Sequence, residues 1–70
     1  MEIVLSRHAK KRLLERGIKI QEVQEAIELP EYTISRGAKK EAYKKIGDKT
    51  LKVVYAEEDK YINVITLIKK

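Results

Sequence analysis

The chain has no cysteine, no tryptophan and no phenylalanine, and only one histidine, one methionine and one proline. Without cysteine there is no disulfide, which excludes the small secreted scaffolds that replace a core with covalent staples. One histidine and no cysteine cannot make a zinc site of the usual type. The three glycines, Gly17, Gly37 and Gly47, are too far apart for a phosphate-cradling loop or a dinucleotide fingerprint. Neither a nucleophile elbow nor a calcium-loop spacing occurs. No metal and no cofactor is expected. No apolar run approaches the roughly 20 residues a membrane-spanning helix needs. Met1–Ser6 has neither the basic start nor the apolar length of a signal peptide. A cytoplasmic protein with no membrane partner is expected.

What the chain has in quantity is charge, 39% of 70 residues, with a net charge of +5. Residues 6–19 carry six Lys/Arg against one acid, and residues 36–52 carry seven against two. The segment between them holds Glu22, Glu25, Glu28 and Glu31 and no base. Two basic blocks flanking an acidic one are the footprint of a polyanion binder if the blocks meet in space. A solvated, ion-paired surface is the alternative. Seventy residues make one domain, 1–70, and a chain this short buries only about 60% of its unfolded surface. A homodimer is one way to complete so thin a core.

The segment from Ser6 to Ile18 reads as one short helix, Arg7 to Arg16, with its start and stop signals. Ser6 is a good N-cap, and Gly17 suits the left-handed position after a helix end. His8, Arg12 and Glu15 fall within roughly 60° at 100° per residue, opposite Ala9, Leu13 and Leu14. A second helix runs from Ile20 to Leu29, with Ile20, Val23, Ala26 and Ile27 as its buried stripe, and Pro30 stops it. Elsewhere the period is that of strands: 2–5, 32–36, 41–46, 50–56 and 61–68. Gly47-Asp48-Lys49 is expected as a three-residue hairpin loop. The last strand is apolar on both faces, Ile62, Val64 and Ile68 on one and Ile65 and Leu67 on the other, so it should be central. The expected fold class is α+β: two N-terminal helices packed on one side of a three- to four-stranded, mainly antiparallel curled sheet. The other side of the sheet should be wetter and more basic, showing Lys52 with Tyr43 or Lys44.

Several residues are of the types that RNA chemistry uses. An unperturbed imidazole changes charge near neutral pH, which makes His8, the only histidine, a candidate acid or base. Arg12, Arg16 and Arg36 are candidates for stabilising charge on phosphorus, and Lys52 is a further cation for that role. Tyr43 or Tyr55 is a candidate stacking platform for a base, and Lys44, Lys45 and Lys52 are candidate phosphate contacts. Each has a structural alternative: a bonded histidine at a helix start, arginines paired with glutamates, a core tyrosine, solvated lysines.

The run His8-Ala9-x-x-Arg12-x-x-x-Arg16-Gly17-Ile18, with Pro30-Glu31, Tyr43-Lys44-Lys45-x-Gly47 and Leu51-x-Val53-Val54-Tyr55, closely resembles the DUF4258 family of small prokaryotic proteins. That family looks related to the RelE/ParE-like toxins of toxin–antitoxin pairs. The resemblance implies a RelE/ParE toxin-like fold. It also implies RNA, including ribosome-bound mRNA, as the target, metal-independent endoribonuclease activity, and an acidic antitoxin protein as partner. A non-catalytic interaction module that binds an acidic partner protein or peptide is the alternative.

Overall fold

The computed structural model describes residues 2–70. Strand β1 (Glu2–Leu5) leads into helices α1 (Arg7–Glu15) and α2 (Ile20–Glu28). Four strands follow: β2 (Tyr32–Arg36), β3 (Lys39–Ile46), β4 (Lys49–Glu57) and β5 (Tyr61–Lys69). They form one five-stranded sheet in the order β1-β5-β4-β3-β2. The strands β2 to β5 are an antiparallel meander, and β1 lies parallel to β5 with Glu2 opposite Tyr61 and Leu5 opposite Val64. This corrects the expected fold class. The sheet is mixed, with one parallel pairing beside three antiparallel ones, and it has five strands rather than the three or four of a curled antiparallel sheet. The physical reason is the second edge of β5. A central apolar strand cannot leave a row of N–H and C=O groups unpaired, and β1 supplies their partners.

The local signals act as read. Ser6 Oγ accepts from the Ala9 N–H at 3.0 Å, and the Ser6 hydroxyl donates to the Ile65 carbonyl at 2.8 Å. At the other end of α1, Gly17 has φ +62°. The Ile18 N–H reaches back to the Leu13 carbonyl at 2.9 Å and the Gly17 N–H to that of Leu14 at 3.5 Å, a Schellman closure. The buried Ile18 side chain supplies the accompanying apolar contact. Glu22 accepts from the Lys19 N–H at 3.0 Å and caps α2; the Lys19 ammonium has no acceptor to return the favour. Gly37 and Gly47 take the first central positions of two-residue hairpin turns with positive φ, and Lys49 belongs to β4 rather than to the loop.

Both helices lie on one face of the sheet. Ala9, Val23 and Ala26 pack there on Leu51, Val53, Val64 and Leu67, all at or near zero exposure. Leu14, expected in this layer, is 74% exposed, because the helix sits on the Ala9 side of its apolar sector. Strict alternation along β5 also fails. Val54 pairs with Thr66 but Tyr55 pairs with Val64, so Ile65 is an extra residue, a β-bulge. Beyond it every side chain changes face. Leu67 joins Ile62 and Val64 under the helices, and Ile68 turns to the open face. The bulge places the Ile65 carbonyl where Ser6 bonds it, so one hydroxyl both starts α1 and satisfies the bulge. Ser6→Ala removes both bonds. It is expected to cost about 1–2 kcal/mol, and so to lower the thermal midpoint by roughly 4–8 °C per kcal/mol, read by circular dichroism.

Candidate nucleic-acid interface

Among the described residues, no helix covers the second face of the sheet. Side chains of β2, β3 and β4 that alternate away from the core stand there in rows. Tyr32 is opposite Tyr43, Ile34 opposite Glu41, and Tyr43 in turn opposite Lys52. Chain connectivity holds the first pair in register. Pro30 ends α2, and the next residue, Glu31, grips β3 twice. Its N–H donates to the Tyr43 carbonyl at 2.8 Å, and its carboxylate accepts from the Lys45 N–H at 3.0 Å. Tyr32 is thereby set beside Tyr43, and their rings stack with centroids 4.5 Å apart and planes 12° apart. Such pairs contribute about 0.5–1.5 kcal/mol beyond their buried area. The Lys52 ammonium stands 5.8 Å from the centroid of the Tyr43 ring.

At the centre of this face is Glu41, a buried carboxylate. It accepts from the Tyr43 hydroxyl at 2.9 Å and from Arg36 Nε at 3.0 Å, and Lys52 Nζ lies 3.7 Å away. The Tyr43 hydroxyl, then Arg36 and Lys52, hold its carboxyl below the usual range against the opposing effect of burial. The same hydrogen bond, with burial second, pushes the Tyr43 phenol above its ordinary value. A carboxylate with a depressed native pKa contributes stability above its unfolded value, and loses it as pH falls through the native one. The wild type is therefore expected to hold this stability at neutral pH. It should lose it below the unfolded carboxylate pKa of about 4.3. Glu41→Gln is expected to show a shallower acid decline in thermal midpoint; parallel declines would mean that the charge at Glu41 contributes nothing.

Next to Tyr43 is a hollow of 240 Å³ lined by Tyr43, Thr50, Lys52, Ile68 and Lys70. Pockets that enclose drug-sized ligands run to roughly 300–1,000 Å³. This one suits a single planar group with one apolar wall and cations at its rim.

The residues singled out in the sequence divide between the two faces. Arg36, Tyr43, Lys45 and Lys52 belong to the open face. His8 and Arg12 are on α1 and Arg16 caps its C-terminal end, in the layer across the sheet, with His8 and Arg16 exposed and Arg12 half-buried. No hydrogen bond or ion pair of the His8 ring occurs among the described residues. Lys44 pairs with Leu51 on the helix side, where its ammonium donates to the Leu29 carbonyl at the end of α2, 2.9 Å away. That bond satisfies an orphan helix carbonyl with a cation at the favourable end of the dipole. His8, Arg12 and Arg16 therefore do not share a surface with Arg36, Tyr43, Lys45 and Lys52. Tyr32, Glu41, Thr50, Ile68 and Lys70 also belong to the open face, and nothing local in the sequence sets them there. Parity alone linked Tyr32, Arg36, Glu41 and Tyr43, once the hairpin register was known.

No helix of the described residues is long and apolar enough to cross a membrane. Among the same residues there is no group of three or more His, Asp or Glu side chains able to hold a metal ion. No curated protein and no solved structure matches the chain. Residues 5–69 match the family described as "Domain of unknown function (DUF4258)", a match that takes in both helices, β2 to β5 and the whole of the open-face tyrosine cluster. The chain belongs to the DUF4258 family.

Proposed function

We propose that this protein binds single-stranded RNA on the uncovered face of its sheet. One observation carries the reading: the stacked pair Tyr32–Tyr43 on an open face, bordered by Arg36 and Lys52. Stacking on an aromatic platform needs bases that are not already paired and stacked, which favours a single strand over a duplex. The relation of DUF4258 to the RelE/ParE-like toxins, suggested by the sequence resemblance, directs the reading to RNA, including mRNA on the ribosome. It also makes an acidic antitoxin the natural protein partner.

Cleavage would need a base, an acid and charge stabilisation around one phosphate. A strand lying on the open face has Glu41, Tyr43, Arg36 and Lys52 within reach. His8, Arg12 and Arg16 are across the sheet from it. Glu41, held ionised by three partners, is a weak base. The geometry thus favours binding over a metal-independent endoribonuclease built on His8, and cleavage products are an outcome to look for.

The test is fluorescence anisotropy with a labelled single-stranded RNA, from about 50 to 300 mM salt, with a gel to detect cleavage. Four phosphate contacts, from Arg36, Lys45, Lys52 and Lys70, would give a log–log salt slope of roughly −3, at about 0.7 per phosphate of a single strand. Absence of binding at 50 mM salt, or equal affinity for duplex DNA, overturns the proposal. A second reading, an interaction module for a partner protein, draws on Val4, Tyr61 and Ile68. These lie on the same open face at 39%, 37% and 36% exposure. Burial of that apolar surface would show little salt dependence.

A further inference from the structure

The second concave site of the molecule is unlike the first. It is a hollow of 200 Å³ on the helix side of the sheet, lined by Arg16, Lys49 and Lys69 and by no acid. Glu22 is ion-paired with Lys69, its Oε1 3.8 Å from Lys69 Nζ, and the same oxygen accepts from the Lys19 N–H at the start of α2. Asp48, in the adjacent hairpin turn, does not line it. Arg16, at the end of α1, is favoured there by the helix dipole. That does not account for Lys49 and Lys69, which add like charge to the same hollow. Arg16 and Lys49 have no ion-pair partner among the described residues, so three cations face the single carboxylate of Glu22, and the remaining positive charge is the complement of an anion.

The two hollows are back to back. Thr50 and Lys70 exchange both backbone hydrogen bonds, at 2.7 and 3.0 Å, and line the open-face hollow. Their neighbours Lys49 and Lys69 point to the opposite face, as successive strand residues must, and line the other. One residue pair at one end of the sheet therefore separates them, and Lys70 stands at the crossing.

We propose that Arg16, Lys49 and Lys69 form a second phosphate site, and that an RNA strand stacked at Tyr43 continues over this end of the sheet to reach it. The proposal rests on the RNA-binding reading and extends the binding site from a stacking platform to a path with a defined direction. It assigns Arg16 to holding the sugar–phosphate backbone away from the platform.

The experiment compares the wild type with the triple variant Arg16→Gln/Lys49→Gln/Lys69→Gln, which removes charge and keeps most of each stem. Circular dichroism checks that the variant folds. The probes are labelled oligouridylates of 4 and 12 nucleotides, lengths near the limits of single-strand site sizes of about 4–16. The variant is expected to bind the 4-mer as the wild type does and the 12-mer more weakly. Its 12-mer salt slope should be shallower by about 2, which makes its loss of affinity about 15-fold greater at 50 mM than at 200 mM salt. Equal losses for both lengths would mean a diffuse field rather than a site, and would overturn the proposal. So would an unchanged 12-mer slope, which leaves the platform reading intact. A wild type that binds neither length overturns both.

Discussion

Replacing Tyr43 with alanine is expected to weaken single-stranded RNA binding by roughly 5- to 150-fold, the 1–3 kcal/mol that one stacked base contributes. The ring is the centre of the row formed by Tyr32, Tyr43 and Lys52, and it also walls the open-face hollow. The substitution removes no charge. The log–log salt plot of Tyr43→Ala should therefore run parallel to that of the wild type, displaced to weaker binding. Lys52→Gln should do the opposite and flatten the slope by about 0.7. Tyr43→Phe keeps the ring and loses the hydroxyl that donates to Glu41. Near-wild-type RNA affinity is expected from it, together with a Glu41 carboxyl that titrates closer to the ordinary range. Wild-type affinity in Tyr43→Ala would sink the stacking platform, whatever the lysines do.

Leu67→Ala is expected to remove a large part of the protein's stability. Leu67 is 1% exposed, one of the largest fully buried side chains in a thin core. Leucine-to-alanine changes at such sites cost about 2–5 kcal/mol. A domain of this length has only about 4–10 kcal/mol in total, at roughly 0.05–0.15 per residue. Its neighbour Ile68 is 36% exposed on the open face, and Ile68→Ala is expected to cost less than about 1 kcal/mol. Urea unfolding of the two variants compares adjacent positions in one strand. Regular alternation from Ile62 would reverse the order, because it puts Ile68 beneath the helices and Leu67 outside. A larger loss in Ile68→Ala would remove the bulge at Ile65 from the description of the fold.

That reversal shows where the sequence stops being legible. Ser6, Gly17, Pro30, Gly37 and Gly47 mark element ends through chemistry confined to a few neighbouring residues. The helices and strands accordingly lie within two residues of their expected bounds, the largest difference being at β3, which begins at Lys39 rather than Glu41. Nothing local marks the bulge. Ile65 is an ordinary strand residue, and the partner its carbonyl finds outside the ladder, Ser6, is 59 positions away. The pairing of β1 with β5 is equally remote: four residues that read as a strand carry no record of which strand they will join.

The candidate site was legible in its parts and not in its assembly. Tyr43, Lys52 and Arg36 were recognisable as types. Their common neighbour Glu41 was not, since one acid in a basic block reads as an ordinary solvated charge. Its burial follows from the register of β2 against β3, which sets Ile34 opposite it and brings Arg36 and Tyr43 to its two oxygens. His8 is the converse case. It dominates the sequence as the only histidine, yet the helix that carries it packs across the sheet from the tyrosines.

Taken alone, the amino-acid order determined the helices and their caps, the turns, the alternating strands, the excess of positive charge and the absence of disulfides. Those are properties of residues within a few positions of one another, or of the totals. Only the tertiary structure decided that the sheet has five strands with one parallel pair, and that Leu67 rather than Ile68 is core. It also decided that the basic residues separate into a tyrosine-lined face and an Arg16 hollow meeting at one sheet end. Each of those depends on which strand pairs with which and in what register, and a shift of one residue there exchanges the inside of the protein for its surface.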